Sequence, residues 1–260
     1  MLPEFTLLGH RFISYNVFAI LGAVAGAVLS WRPLRRAGFS RLGTLALLVL
    51  AAAGFLVGAR LWNVAIMPEK YGETFPWYTL KMKGLSLYGG VFGTAAVLLA
   101  ALAVRKRPAL PVLDGLVVPT AAAFCLSRVG CFLNGCCAGI RTELPWGAAF
   151  PTGLPELKFG GFSFSTAPVV HPTQLYELLL AVLGVPLAVW SAKKLRLPAG
   201  GRFFLYGAWF CAMRLAILPL RSLPYRDGIT GVFYPLLYGV LIAVGIAGAI
   251  LIKRKKTADA

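Results

Sequence analysis

The chain has 260 residues, of which 58% are apolar and only 13% charged, and its mean hydropathy is +0.76. Soluble domains carry about a quarter charged residues, whereas several apolar runs here reach the ~20 residues that cross a bilayer, so an ordinary soluble domain is excluded. The net charge of +17 does not point to nucleic acid, because the Lys and Arg lie in short loops between apolar runs and no basic stripe with interleaved aromatics lies outside them.

Residues 1–11 lack the basic start, short apolar core and small-residue cleavage site of a removable leader, so the first apolar run is expected to stay as a helix. Seven spans are predicted, at 12–31, 43–66, 85–104, 109–126, 172–192, 203–220 and 231–252. They form one all-α integral membrane domain, 1–260, with no internal repeat. Loop cations set the orientation. Arg32, Arg35, Arg36 and Arg41 follow the first span, Arg105, Lys106 and Arg107 the third, Lys193, Lys194, Arg196 and Arg202 the fifth, and Lys253 to Lys256 the last. All fall on one side if the spans alternate, which predicts the N-terminus outside and the C-terminus in the cytoplasm. The opposite side collects Arg11, Lys70, Lys81, Lys83, Arg128, Arg141, Lys158, Arg221 and Arg226. The segment 127–171 reads as a small cap on the outer, periplasmic surface, since it is too apolar for a disordered linker.

Charged side chains at membrane depth are costly and face a polar interior. Here they are Arg60, Asp114, Arg128, Glu177 and Arg214, with Asp114 expected near the cytoplasmic end. A single buried Arg can snorkel to the headgroup layer, but three on separate spans beside a polar motif suit a phosphate, which the guanidinium fork pairs with two oxygens at once. Tyr206, Phe210, Arg214 and Leu218 recur every four residues and share a helix face, with Arg221 following. In "HPTQLYE", Pro172 is suited to a first helical position, and Gln174 and Glu177 adjoin on the helix surface. His171 is open to three roles: a base, a headgroup contact, or a helix-end residue without chemistry.

In "SRVGCFLNGCCAG", Cys131, Cys136 and Cys137 form C-x4-C-C. The spacing is not that of a zinc knuckle even with His171 counted as a fourth ligand, so no metal is expected. A Cys131–Cys136 disulfide is open in an oxidising compartment, as is a reactive thiolate beside Arg128, and the segment also reads as a polar pocket. Cys125 and Cys211 read as small core residues.

Taken together, "GARLWNV", "GLSLYGGVFG", "DGLVVPTAAAF", "SRVGCFLNGCCAG" and "HPTQLYE" resemble, in order, the motifs of the prolipoprotein diacylglyceryl transferase family of bacterial inner-membrane enzymes. The resemblance runs from Gly58 to Arg221. It implies transfer of a diacylglyceryl group from phosphatidylglycerol to the thiol of a lipobox cysteine in an exported prolipoprotein, at the periplasmic face, with release of glycerol phosphate and no cofactor. It assigns Arg128 and Arg214 to the phosphate and Asn134, Gly135 and Gly139 to the signature pocket, supported by Gln174, Tyr176 and Glu177. Arg60, Gly89, Gly90 and Arg221 are further candidate substrate contacts.

The chain departs from the family pattern at four places. Tyr88 stands where the family has His, Cys131 where it has Asn, Cys136 where it has Glu, and Leu218 where an Arg-x-x-x-Glu pattern ends. Tyr88, with a phenol that nearby cations would acidify, and His171 are the two candidate bases. The departures leave open a paralogue with another acceptor, a non-catalytic phospholipid-binding protein, and a thiol redox protein.

Overall fold

A computed structural model describes residues 2–7, 9–72, 76–78, 84–149, 168–223 and 225–258. Lys81, Lys83, Lys158 and most of the aromatic part of the expected cap lie outside the described residues. Seven helices among those described are long and apolar enough to cross a membrane. They are α1 (Ser14–Arg36), α2 (Arg41–Ile66), α3 (Leu87–Val104), α4 (Ala109–Asn134), α5 (Thr173–Lys194), α6 (Gly201–Ile217, continued by a 3-10 turn Leu218–Leu220) and α7 (Tyr234–Ala258, entered through a π turn Ile229–Phe233). The seven predicted spans are therefore present.

Several boundaries differ from the expected ones. A hairpin of β1 (Glu4–Leu7) and β2 (His10–Ile13) precedes α1, and α4 runs on to Asn134, so Arg128 and Cys131 stand on a helix and the following segment begins at Gly135. Pro172 sits one place outside α5 as its cap residue, with Thr173 first in the helix. Local chemistry explains the ends. Ser40 Oγ accepts from Gly43 N at 2.9 Å to start α2, as an N-cap hydroxyl should. Lys106 (φ 51°) and Arg196 (φ 53°) take the left-handed conformation just past α3 and α5, where cations also complement the helix dipole.

The chain forms two compact units, one from Met1–Leu29 with Leu113–Ala260 and one from Ser30–Val112. Lipid offers little hydrophobic drive for helices to associate, so close packing of small residues has to supply it. In the second unit Gly54 and Gly58 of α2 face Gly89 and Gly93 of α3, and a Cβ on any of them would collide with the opposing backbone. Gly90 makes room for the Phe55 ring in the same contact.

In the first unit Val117, Ala121, Ala188 and Tyr206 join α4, α5 and α6 in one core, flanked by Phe210. Gly184 accommodates the Trp209 indole, whose Nε1 donates to the Leu180 carbonyl at 2.8 Å. Asp114 of α4 accepts from the backbone N–H groups of Gly200 and Phe203, both at 2.9 Å. It thus caps the start of α6 from another helix, a side-chain role that its place in the sequence did not suggest.

Candidate functional site

The site grows from a short set of strand pairings that ties three helix ends together. Residues 138–142, just past α4, run antiparallel to the chain on both sides. On one side Gly139 N donates to His171 O at 2.8 Å and His171 N to Ile140 O at 3.0 Å; on the other Ile140 N donates to Leu220 O at 2.9 Å. Gly139 bridges Arg221 and Arg141 bridges Val170, while β3 (Ala148–Ala149) pairs outside β4 (Val169–Val170). Gly139 is required here, since a Cβ would strike the backbone of Leu220 and His171. This clasp fixes the end of α4, the start of α5 and the end of α6 against one another.

Each of those ends carries a charge. Glu177 of α5 is fully buried and meets three guanidinium groups. Arg128 Nη1 from α4 lies 3.1 Å from its Oε2, and Arg214 of α6 and Arg221 beyond it both donate to its Oε1. Arg128 also stacks over the Phe124 ring at 4.8 Å, and Phe124 abuts Phe210 with ring centroids 4.9 Å apart. Rings from α4 and α6 thus adjoin beside Arg128. One carboxylate among three arginines leaves a formal excess of positive charge. The Nε atoms of Arg128 and Arg221 are buried without a hydrogen-bond partner among the described residues.

The "HPTQLYE" residues divide by helix face. Thr173, Gln174 and Glu177 are fully buried. Gln174 Nε2 donates to the Cys136 carbonyl at 2.7 Å and Thr173 Oγ1 to the Cys137 carbonyl at 2.9 Å, so the start of α5 holds the turn that follows α4. On the other face Tyr176 OH accepts from Trp146 Nε1 at 2.9 Å and lies 3.3 Å from His171 Nδ1. Thr173 and Trp146 were missed as site candidates: the first belongs to a quoted motif, and the second gave no signal.

Asn134 ends α4 half-buried, and Gly135 (φ 75°) turns the chain in the left-handed region. Cys137, a non-glycine residue, also holds a positive φ of 61°. All cysteines are free thiols, and the Sγ atoms of Cys131, Cys136 and Cys137 lie within 4.8 Å of one another. Hydrogen bonds from Cys131 and Cys136 hold the Cys137 thiol well below the usual thiol range, and Arg128 and Arg221 help against the effect of burial.

The remaining candidates belong to the other unit. Arg60 is buried and lies 6.0 Å from the Tyr71 ring centroid. Tyr71 OH donates to Asn63 Oδ1 at 2.7 Å, and Asn63 Nδ2 donates to Ser86 Oγ at 3.1 Å. Tyr88 is buried on α3, 6.3 Å from the Phe92 ring. Gly89 and Gly90 serve the α2–α3 contact described above.

The sequence model of the family described as prolipoprotein diacylglyceryl transferase matches residues 4–226. A relative from Geobacter sulfurreducens named phosphatidylglycerol--prolipoprotein diacylglyceryl transferase is 29% identical over 265 residues, covering 98% of this chain and 96% of its own length. Relatives of the same name come from Rhodococcus jostii, 34% identical over 80% of this chain and 61% of its own length, and from Clostridium tetani, 25% identical over 85% of each. The chain belongs to the prolipoprotein diacylglyceryl transferase family.

Proposed function

We propose that this chain transfers a diacylglyceryl group from phosphatidylglycerol to the thiol of a lipobox cysteine in an exported prolipoprotein, releasing glycerol phosphate. The observation that carries the proposal is the meeting of Arg128, Arg214 and Arg221 on the single buried carboxylate of Glu177. The phosphate of the lipid bears one negative charge before transfer, and the departing monoester gains a second. Guanidinium groups already oriented in a water-poor site stabilise that developing charge without reorganising. Glu177 orients the three forks and offsets part of their repulsion, and the partnerless Nε atoms of Arg128 and Arg221 are donors suited to phosphate oxygens.

The lipid enters from the bilayer, and the site faces the periplasm of a bacterial inner membrane, with the N-terminus outside and the C-terminus in the cytoplasm. The distribution of Lys and Arg among the loops supports this orientation. The acceptor must give up a proton, because the thiolate is the nucleophile. Tyr88 and His171 are the side chains proposed from the sequence to receive it.

The test mixes purified protein with phosphatidylglycerol and a lipobox peptide and measures glycerol phosphate. Release that requires both substrates is expected. Release with neither dependence, or none from protein that still binds the lipid, removes the assignment and leaves a phospholipid-binding role.

A further inference from the structure

The three thiols beside the arginine group have a geometry of their own. Cys131 projects from the last turns of α4, and Cys136 and Cys137 lie in the turn after it, with all three Sγ atoms within 4.8 Å of one another. A single ion held by three thiolates at ~2.3 Å brings its sulfurs to roughly 4 Å apart, so this set closes on one ion with only a small adjustment. The turn is built to hold that shape. Cys136 N donates to the Cys131 carbonyl at 3.1 Å, and Gln174 and Thr173 fix the carbonyls of Cys136 and Cys137. Cys137 is kept in a left-handed conformation that is costly for a residue with a side chain.

The donor set is sulfur alone. Among the described residues no histidine nitrogen or carboxylate oxygen joins the group, and none of the three is in a disulfide. Thiolate donors select soft or borderline ions such as zinc. Structural zinc takes four protein ligands, whereas catalytic zinc takes three and keeps one position open.

Resting on the transfer reaction proposed above, we infer that Cys131, Cys136 and Cys137 form a three-thiolate zinc site whose open fourth position binds and activates the acceptor thiol. The acceptor R–SH displaces a water from zinc and its proton leaves to solvent, a route that replaces Tyr88 or His171 as the base, because a thiol bound to zinc is deprotonated outright. The zinc-bound sulfur attacks the glyceryl carbon that carries the phosphate. The C–S bond forms, the C–O bond breaks, and its electron pair remains on the oxygen of the departing glycerol phosphate, which the guanidinium groups hold. Nothing is oxidised or reduced.

The experiment uses the full-length chain, purified in detergent without chelator, and measures zinc by mass spectrometry. One zinc per chain is expected, with loss of the metal in C131S/C136S/C137S at unchanged binding of phosphatidylglycerol vesicles. Should that variant fail to fold, zinc is stripped from the natural chain with phenanthroline and replaced by cobalt. The cobalt form is expected to show thiolate charge-transfer and tetrahedral bands that shift when a lipobox peptide is added but not with its Cys→Ser analogue. Absence of zinc and cobalt binding by the reduced protein, or a Cys131–Cys136 disulfide in the active enzyme, overturns the site. Cobalt bands indifferent to the peptide thiol overturn its activating role. Metal binding without glycerol phosphate release instead counts against the transfer reaction, and full turnover by the metal-free chain overturns the zinc proposal while leaving that reaction standing.

Discussion

Arg128 Nη1 lies 3.1 Å from Oε2 of Glu177, while Arg214 and Arg221 share the other oxygen of the same carboxylate. One acid from α5 therefore organises cations from α4, α6 and the segment after α6. Glu177 has no exposure to solvent, so among the described residues its charge is held by these three partners. Replacing it by Gln removes the charge and keeps the shape. Breaking a buried ion pair by removing one partner costs about 3–5 kcal/mol, and here three cations lose the same counter-ion. Glu177→Gln is expected to lower the melting temperature in detergent markedly and to abolish glycerol phosphate release. A variant with an unchanged melting temperature would show that the arginines are compensated by other means.

The arginines themselves test the phosphate grip. Removing a single donor that stabilises developing charge costs about 10²–10³ in rate, so Arg128→Ala and Arg214→Ala are each expected to fall at least a hundredfold, by about the same factor. Lysine keeps the charge but not the planar fork. Arg128→Lys and Arg214→Lys are therefore expected to recover little turnover, as read by glycerol phosphate release at saturating lipid. Full activity of any of the four would separate these residues from the leaving group.

Much of this arrangement could be read from residues in order. Charged groups at membrane depth are scarce enough that Arg128, Glu177 and Arg214 stood out singly, and the four-residue repeat put Tyr206, Phe210 and Arg214 on one face, where Tyr206 and Arg214 are buried and Phe210 is half-buried. Glu177 as the common partner could not be read, because that depends on how α4, α5 and α6 meet. The clasp at Gly139, His171 and Arg221 was also hidden. Its strands are only a few residues long and show no alternation, and their pairing is between segments distant in the chain. The glycines were legible as motif members, but their purpose was not: Gly89 and Gly90 fall in a quoted motif, yet they make room for α2.

That packing gives a separate prediction. A Cβ at Gly58 or Gly89 would overlap the carbonyl of the other, and helix backbone cannot yield as a side-chain tip can. Gly58→Ala and Gly89→Ala are each expected to lower thermal stability. Because both report one contact, the double variant should lose less than the two losses combined, since neighbouring substitutions are not additive. Strict additivity in the melting measurements would mean that the two glycines do not share an interface.

Asp114 supplies the last case, because its chemistry is structural although its position in a span suggests function. Both of its carboxylate oxygens accept backbone N–H groups at the start of α6, from Gly200 and Phe203. Those donors have no intrahelical acceptor, and the negative charge also suits the positive end of the helix dipole. Loss of a capping side chain costs about 0.5–2 kcal/mol, so Asp114→Ala is expected to reduce stability within that range, and Asp114→Asn to reduce it less. Arg214 lies near the far end of the same helix, held in register by the clasp, so KM for phosphatidylglycerol should hardly change in either variant. A rise in KM with stability unaltered would instead place Asp114 in contact with substrate, contrary to the cap geometry.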